Sequence, residues 1–190
     1  PLDCEALLLM ETDGHRVVVD EEAARMEAIA RQHGAKEVRV AKDEAEAVQL
    51  ASARRAAFSA LARLAPTTIL EDATVPRSEL ARMVRFVDAT AKKYRLRIGT
   101  FGHMGDGNLH ATFLADERDK DEMDRVQEAL EAIVKRTLEL GGTITGGHGV
   151  GLGKKPWLRQ QMGDASPGLM RRIKQTLDPH NLLNPGKMFD

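Results

Sequence analysis

Glycine is distributed very unevenly along this 190-residue chain, and that distribution limits what its two halves can form. Fourteen of the 16 glycines lie at or after Gly99, and seven of the 13 residues at 141–153 are glycine. Glycine adopts backbone conformations that other residues avoid, and it lets other groups approach the backbone closely. We therefore predict that the first half is framework and that the second half carries loops of special geometry.

The composition excludes several broad classes of protein. Lys and Arg number 28 against 29 Asp and Glu, and the formal net charge of -1 gives no support to a nucleic-acid-binding surface. A hydrophobic content of 42% and a mean hydropathy of -0.36 suit neither a disordered chain nor a membrane-spanning one. The single cysteine, Cys4, excludes an internal disulfide and fits a reducing compartment such as the cytoplasm.

Hydrophobic periodicity predicts a mixed α+β fold for this chain. Strands are predicted at 6–12, 37–41, 67–72, 97–101 and 109–114. Helices are predicted to end at His33, to run from Asp43 towards Leu64, to open at Pro76, and to span 119–140 and 167–177. The strands at 97–101 and 109–114 are close enough in sequence to form a hairpin, so we expect an antiparallel sheet covered by helices on one face.

Two histidines flank a glycine-bearing turn in that predicted hairpin. The segment 102–110 reads GHMGDGNLH, and its Gly, Asp and Asn residues tolerate a tight turn. Paired strands would project the imidazoles of His103 and His110 to the same side, close enough to share a divalent ion. The alternative is a turn whose histidines only cap the strand ends, and two histidines alone are too few for a complete metal site.

The glycine-rich segment 141–155 reads GGTITGGHGVGLGKK and directly follows the clearest predicted helix. It is not a P-loop, because His148 stands where that motif requires Gly and Lys155 stands where it requires Ser or Thr. The dinucleotide-binding spacing fails as well, and the segment follows a helix rather than a strand. His148 lies between two glycines and is a candidate general base near neutral pH, the alternative being an incidental histidine in a surface loop.

Three stretches together resemble one family. They read HMGDGNLH at 103–110, TGGHGVG at 145–151 and DPHNLLNPGK at 178–187. In this order they resemble the C-terminal substrate domain of FAD-linked 2-hydroxy-acid oxidoreductases, a family that includes glycolate oxidase flavoprotein subunits, D-lactate dehydrogenases and D-2-hydroxyglutarate dehydrogenases. The resemblance covers residues 1–190. It implies a ferredoxin-like α+β domain in which 141–190 form a glycine loop and a helical C-terminal tail that faces the flavin.

The resemblance also implies roles for individual residues. His148 matches the base that takes the substrate hydroxyl proton, while His103 and His110 match the family's metal-binding histidines. Arg54 matches an arginine that contacts the substrate carboxylate, although on its own it reads as a solvated helix arginine. Asn184 matches a position near the flavin ring. The implied reaction oxidises a small 2-hydroxy acid such as glycolate or D-lactate, with hydride passing from its α-carbon to FAD and electron-transfer subunits as implied partners.

The chain departs from the family pattern at two positions. Gly147 stands where the family usually has a glutamate that acts as third metal ligand, which leaves open whether a divalent metal such as Zn or Mn binds. Ala51 stands where a tryptophan is often found. No segment matches the FAD-binding domain that precedes this domain in the family. We therefore expect the chain to act only with such a flavin-binding domain, supplied in cis or in trans.

Two other functions stay open at this point. A non-catalytic binding or subunit-contact module derived from this domain would account for Gly147. A stand-alone metallohydrolase using His103 and His110 is the third interpretation, which the missing third ligand and the lack of a nearby activated nucleophile disfavour. We expect a cytoplasmic protein, and a peripheral association with the membrane through partner subunits also stays open.

Overall fold

The computed structural model describes residues 4–189, which fall in two compact units divided after Phe58. In the first unit, helix α1 spans Arg16–Gln32 and helix α2 spans Glu44–Arg55. Asp43 caps the start of α2, because its carboxylate accepts a hydrogen bond of 2.8 Å from the Glu46 backbone nitrogen. The helix ends at Arg55 instead of continuing to Leu64, and a separate short helix, α3, spans Ala57–Ala62.

The two strands predicted for the first unit, at 6–12 and 37–41, are wrong. Both segments lack ladder hydrogen bonds, and no strand forms anywhere in residues 4–58. The side chains of Leu7 and Leu8 are 62% and 66% exposed, so this apolar run does not enter a core. An apolar pattern becomes a strand only where another strand pairs with it, and the described part of this unit offers no such partner.

The second unit is built on an antiparallel sheet of three strands within the described residues. The strands are β1 (Thr67–Thr74), β2 (Arg97–His103) and β3 (Asn108–Ala115), and the sheet order β1-β3-β2 puts β3 in the centre. Each strand lies where the sequence predicts it and is slightly longer. The predicted hairpin between β2 and β3 is confirmed, with a single 3-10 turn at Met104–Asp106 between them.

Two long helices cover one face of this sheet. Helix α4 spans Leu80–Tyr94 and helix α5 spans Lys120–Glu139. Because strand side chains alternate between faces, every second residue of β3 points towards these helices. The buried core between helices and sheet consists of Ala73, Val75, Met83, Val87, Leu109, Ala111, Phe113, Ala115, Val126, Ala129 and Ile133. The predicted α+β class, with an antiparallel sheet and helices on one face, is confirmed.

The order of elements in this unit is that of a ferredoxin-like fold. The chain runs β1-α4-β2-β3-α5 and then returns to β1, where Thr143 forms an antiparallel bridge with Thr74. This is the β-α-β-β-α-β sequence with its last strand reduced to one bridge at the outer edge of β1. The bridge brings the glycine-rich segment beside the sheet.

Two further helices and an irregular tail complete the second unit. Helix α6 spans Gly151–Met162, helix α7 spans Ala165–Leu177, and the tail follows. Helix α6 was not predicted, because its glycines and Pro156 disfavour a helix. Tertiary packing overrides that preference, since Leu158 is buried in a small core with Val134 and Ile144. None of the helices in residues 4–189 is long and apolar enough to cross a bilayer.

Candidate active site

The sheet face opposite α4 and α5 carries a row of polar side chains. The strand register places Asp72 of β1 and Phe101 of β2 on either side of His110 of β3. His103 lies two residues beyond Phe101, so it is the diagonal neighbour of His110 on the same face. The hairpin therefore projects both imidazoles to one side, as its alternating pattern predicts.

The rings of His103 and His110 are nearly perpendicular. Their centroids are 5.9 Å apart and their planes meet at 86°. The lone pair of a neutral imidazole lies in the ring plane, so two perpendicular rings at this separation are able to direct lone pairs towards a common ion. That these two histidines share a metal ion stays a prediction.

His148 comes to the same place from the loop before α6. Its ring stacks on that of His110, with centroids 5.1 Å apart and an interplanar angle of 8°. The side chain of His148 is 55% exposed, whereas His110 is buried. A cleft of about 350 Å³ opens in front of these rings and is lined by Asp72, Thr74, His103, Asp106, Asn108, His110, Gly146, Gly147 and His148. His148 is therefore the imidazole best placed to meet a molecule entering from solvent.

A buried carboxylate, Asp72, lies beneath the three histidines. It is 1% exposed, and its Oδ1 accepts a hydrogen bond of 2.6 Å from the amide of Asn108. Its Oδ2 accepts from Thr145 Oγ1 at 2.8 Å and from the Gly146 backbone nitrogen at 2.9 Å. The backbone nitrogens of residues 147 and 148 approach the same oxygen at 3.3 Å each. All these partners are donors, so both carboxylate oxygens act as acceptors.

The hydrogen bonds to Asp72 decide its charge. Burial by itself raises the pKa of this carboxyl, because it removes water from the ionised form. The hydrogen bonds from Asn108, Thr145 and the backbone of Gly146 and Gly147 outweigh burial and hold the pKa of Asp72 well below its usual range. Asp72 therefore carries a negative charge beneath the imidazoles at neutral pH.

Asp72, His110 and His148 also bring potential metal-ligand atoms within 4.8 Å of one another. Two features argue against an ion held by these three residues. The Asp72 oxygens already accept hydrogen bonds from both sides. The stacked rings of His110 and His148 are nearly parallel, so their in-plane lone pairs do not converge on one point. Asp72 is better described as a neighbour of the imidazoles, with Oδ1 3.6 Å from His110 Nδ1 and Oδ2 4.0 Å from His148 Nδ1.

Adjacent glycines in the loop have opposite surroundings. A Cβ atom on Gly146 would lie 2.2 Å from Asn108 Nδ2 and 2.5 Å from Thr74 Oγ1, so any larger residue there forces the loop or these side chains to shift. A Cβ atom on Gly147 would meet nothing within 4 Å. The position that carries a glutamate in the resembling family is thus open space here. Of the predicted metal site, the described residues supply two imidazoles and no carboxylate available as the third ligand, so the set does not fit a complete resident metal site.

A second buried charge pair fastens the loop to the sheet. The Lys154 Nζ lies 2.9 Å from Glu71 Oε1 and donates to the backbone oxygens of Asp72 and Ile144. Burial raises the pKa of Glu71, and the charge of Lys154 opposes that shift only in part. Lys154 thus connects the first turn of α6 with β1 directly behind the site.

The other two predicted site residues belong to other elements of the chain. Arg54 belongs to the first unit, where it is the second-last residue of α2 and has an exposed side chain. Asn184 lies in the tail of the second unit and has a positive φ of 50°. It lines a separate cavity of about 430 Å³ with charged neighbours that include Arg171, Lys174 and Lys187. The structure therefore brings together the three histidines but does not bring Asn184 to their cleft.

Sequence reasoning missed Asp72, Asn108 and Lys154 as members of the site. One signal pointed to Asp72: the acidic pair Glu71-Asp72 interrupts a segment that otherwise reads as a buried strand. Charged side chains are rarely buried in a strand unless they are paired, so two adjacent acids there indicate buried partners. No comparable signal marks Lys154, because the helix that carries it was not predicted.

Comparison with known proteins gives a consistent result. The model of the family "FAD linked oxidases, C-terminal domain" matches residues 1–188. The chain is 51% identical over 189 residues to the glycolate oxidase subunit GlcD of Bacillus subtilis (strain 168), covering 100% of this chain and 40% of that protein. It is 36% identical over 187 residues to the glycolate oxidase subunit GlcD of Escherichia coli (strain K12), covering 98% and 38%.

A third relative comes from an animal. The chain is 35% identical over 185 residues to the probable mitochondrial D-lactate dehydrogenase of Danio rerio, covering 96% of this chain and 37% of that protein. The chain thus spans about 40% or less of the length of these relatives. Because the family model matches almost every residue, the chain belongs to the C-terminal domain family of the FAD-linked oxidases.

Proposed function

We propose that this chain is the substrate-binding and catalytic C-terminal part of an FAD-dependent dehydrogenase or oxidase of small 2-hydroxy acids, of the glycolate or D-lactate type. The observation that carries the proposal is the setting of His148, an exposed imidazole stacked on buried His110 over an ionised carboxylate. Family membership and the names of the relatives support the same reaction class. In this proposal residues 1–190 act as one substrate domain, with 141–190 contributing the loop and a flavin-facing tail.

His148 acts as the base in this reaction. Its Nδ1 faces Asp72 at 4.0 Å, so Nε2 is the atom directed away from the carboxylate and towards the substrate. Nε2 takes the hydroxyl proton while the C–H bond of the α-carbon breaks, and the product is the 2-keto acid. A bound FAD would supply the acceptor for the hydride of the α-carbon. The fixed charge of Asp72 stabilises the imidazolium that forms, as an acid behind a catalytic histidine does elsewhere.

Arg54 and Asn184 are proposed contacts to the substrate and the cofactor. The guanidinium of Arg54 suits a carboxylate, which it holds through two parallel hydrogen bonds. Asn184 and Lys187 line the tail cavity and offer donors for the acceptor atoms of a flavin ring. A flavin-binding domain, in cis or in trans, holds most of the FAD, and electron-transfer subunits are the proposed partners.

No step of the proposed reaction passes through a metal. His103 and His110 are the two imidazoles that the β2–β3 hairpin brings together in this cleft, with their rings at 86°. With Gly147 in place of a carboxylate, an ion such as Zn²⁺ or Mn²⁺ would bind there weakly and would need substrate oxygens as further ligands. The proposed location is the cytoplasm, because a chain with a single cysteine suits a reducing compartment.

The test joins this chain to a flavin-binding domain and follows flavin reduction in single turnovers. His148→Ala is expected to slow reduction by about 10²- to 10⁴-fold, the usual contribution of a positioned base. His33→Ala, which changes an exposed histidine just after α1, is the matched control. Unchanged reduction of His148→Ala by glycolate, D-lactate and D-2-hydroxyglutarate would contradict the assignment.

A second function, a non-catalytic binding or subunit-contact module, is favoured by one observation, the open space at Gly147. The same joined protein distinguishes the two functions. Folded, flavin-loaded protein that none of the three hydroxy acids reduces would support the module. Stoichiometric metal in the unaltered protein would remove the main argument for it.

A further inference from the structure

We propose that Asp72 is a positioning residue that fastens the loop at 145–148 to β1 and thereby holds the ring of His148 against His110. Its catalytic consequence rests on the proposed function, whereas the fastening of the loop does not. The base is thus held in place by a buried acid more than 70 positions away in the sequence.

The contacts converge on a single oxygen atom. Asp72 Oδ2 receives the hydroxyl of Thr145 and three successive backbone nitrogens, those of Gly146, Gly147 and His148. Successive backbone N–H groups that point to one centre form an anion-binding concavity, a type of site often filled by a phosphate or another external anion. Here the protein fills it with its own carboxylate.

Packing of buried side chains does not hold this loop in place of its hydrogen bonds to Asp72. Residues 146–149 are exposed, and three of these four residues are glycine. In residues 4–189, the hydrogen bonds that the backbone nitrogens of 146–148 donate all end on Asp72. A glycine-rich segment has many alternative conformations, so the orientation of His148 depends on a contact that selects one of them.

The chemistry of the contact requires an acid and not an amide. Oδ1 accepts from the Asn108 amide on one side, and Oδ2 accepts from the loop on the other. An asparagine at position 72 would turn its NH₂ group towards one of these two sets of donors. Asp72→Asn therefore changes little in size but replaces an acceptor by a donor, and one side of the network loses its partner.

Hydrogen exchange tests the fastening directly in the joined flavoprotein. In Asp72→Asn we expect faster exchange of the backbone amides at 146–148, with the exchange of core strand β3 unchanged. Asp116→Asn is the matched control, because Asp116 pairs with exposed Arg118 and has no contact with the loop among the hydrogen bonds of the described residues. Unchanged loop exchange in Asp72→Asn would overturn the proposal.

A double-mutant cycle tests the effect on the base. Asp72→Asn is expected to lower kcat for flavin reduction by about 10- to 100-fold, with a smaller change in KM. In a His148→Ala background the same substitution should change the remaining rate by less than about threefold, because the loop then carries no base. Equal losses in both backgrounds would show that Asp72 acts only through stability and would overturn the proposal.

Failure of the base assignment and failure of the proposed fastening can be told apart. If His148→Ala leaves reduction unchanged, the assignment of the base fails, while the exchange of amides 146–148 still judges the fastening. If Asp72→Asn does not fold, Thr145→Val removes one donor to Oδ2 at nearly constant volume. That variant should speed amide exchange at 146–148. It should also lower kcat by about fivefold, which corresponds to the loss of one hydrogen bond. Unchanged exchange would again overturn the proposal.

Discussion

The two faces of the three-stranded sheet differ in the polarity of their buried side chains. Towards α4 and α5 the central strand presents Leu109, Ala111 and Phe113, which are buried together with apolar helix residues. On the other face the same strand presents Asn108, His110 and Thr112, which are also buried but polar. Burial of apolar surface stabilises the first face, whereas each polar group on the second needs a partner to offset its loss of water.

This difference separates stability from function within one sheet. The apolar face makes the strands rigid, and the polar face uses that rigidity to fix Asp72 opposite His110. The loop that carries His148 is itself exposed, so it takes its order from the sheet beneath it. Substitutions on the two faces should therefore differ in which measurement they change.

The largest effect is expected on the apolar face. Phe113 is fully buried in the core, and Phe113→Ala should lower the free energy of unfolding by about 3–5 kcal/mol through lost burial and a cavity. Denaturant unfolding measures this, with Phe58→Ala as control because Phe58 is 44% exposed. A loss below about 1 kcal/mol would mean that this face does not carry the stability.

On the polar face, Gly146→Ala should mainly reduce activity. The added Cβ atom would meet Asn108 Nδ2 at 2.2 Å, so the loop has to shift and His148 moves with it. A displacement of about 1 Å at a reacting group costs about 100-fold in rate. Single-turnover flavin reduction measures the loss, and Gly147→Ala is the neighbouring control, since its Cβ atom has no contact within 4 Å. Equal effects of the two substitutions would contradict the close approach at Gly146.

A single substitution on the polar face should raise its affinity for a metal ion. Gly147→Glu places a carboxylate in open space beside His103 and His110, and it should raise the affinity for Zn²⁺ or Mn²⁺ at least about tenfold. Titration calorimetry of both proteins at one pH checks the change, and Gly147→Gln controls for side-chain size. An equal gain with Gln would show that the carboxylate is not the added ligand.

The smallest effect is expected where the polar face has a group without a partner. Thr112 is fully buried, and within the described residues its Oγ1 has no hydrogen-bond partner. Thr112→Val keeps the shape and removes the hydroxyl, so it should raise the free energy of unfolding by about 1 kcal/mol. Thermal unfolding measures the shift, and Thr90→Val, which changes another buried threonine on α4, serves for comparison. Destabilisation by Thr112→Val would mean that the hydroxyl is hydrogen-bonded after all.

The second unit could be predicted well from the sequence because its elements satisfy local and tertiary preferences together. The alternating pattern of β3 and the helical spacing in α5 are both matched by a partner that buries the same residues. The apolar run at 6–12 has the same local pattern but no strand pairs with it in residues 4–58. Strand pairing depends on the whole fold, so a local apolar pattern alone does not predict it.

The site was predicted in part for the same reason. His103 and His110 are close in sequence, and one hairpin brings them together. Asp72 and His148 are joined only by the return of the chain to β1, which depends on the bridge between Thr74 and Thr143. Local spacing identifies the first pair, whereas the second needs the topology of the complete unit.

The ion pair between Lys154 and Glu71 also affects the outer edge of the sheet. Strand β1 lies at the edge of the sheet, and an exposed edge is a template on which another chain can form a strand. At Asp72 that edge is covered, because the Lys154 ammonium donates to the backbone oxygen and pairs with Glu71. An incoming strand would have to displace a buried cation and leave the Glu71 carboxylate buried without it, which disfavours edge-to-edge pairing at this point of β1.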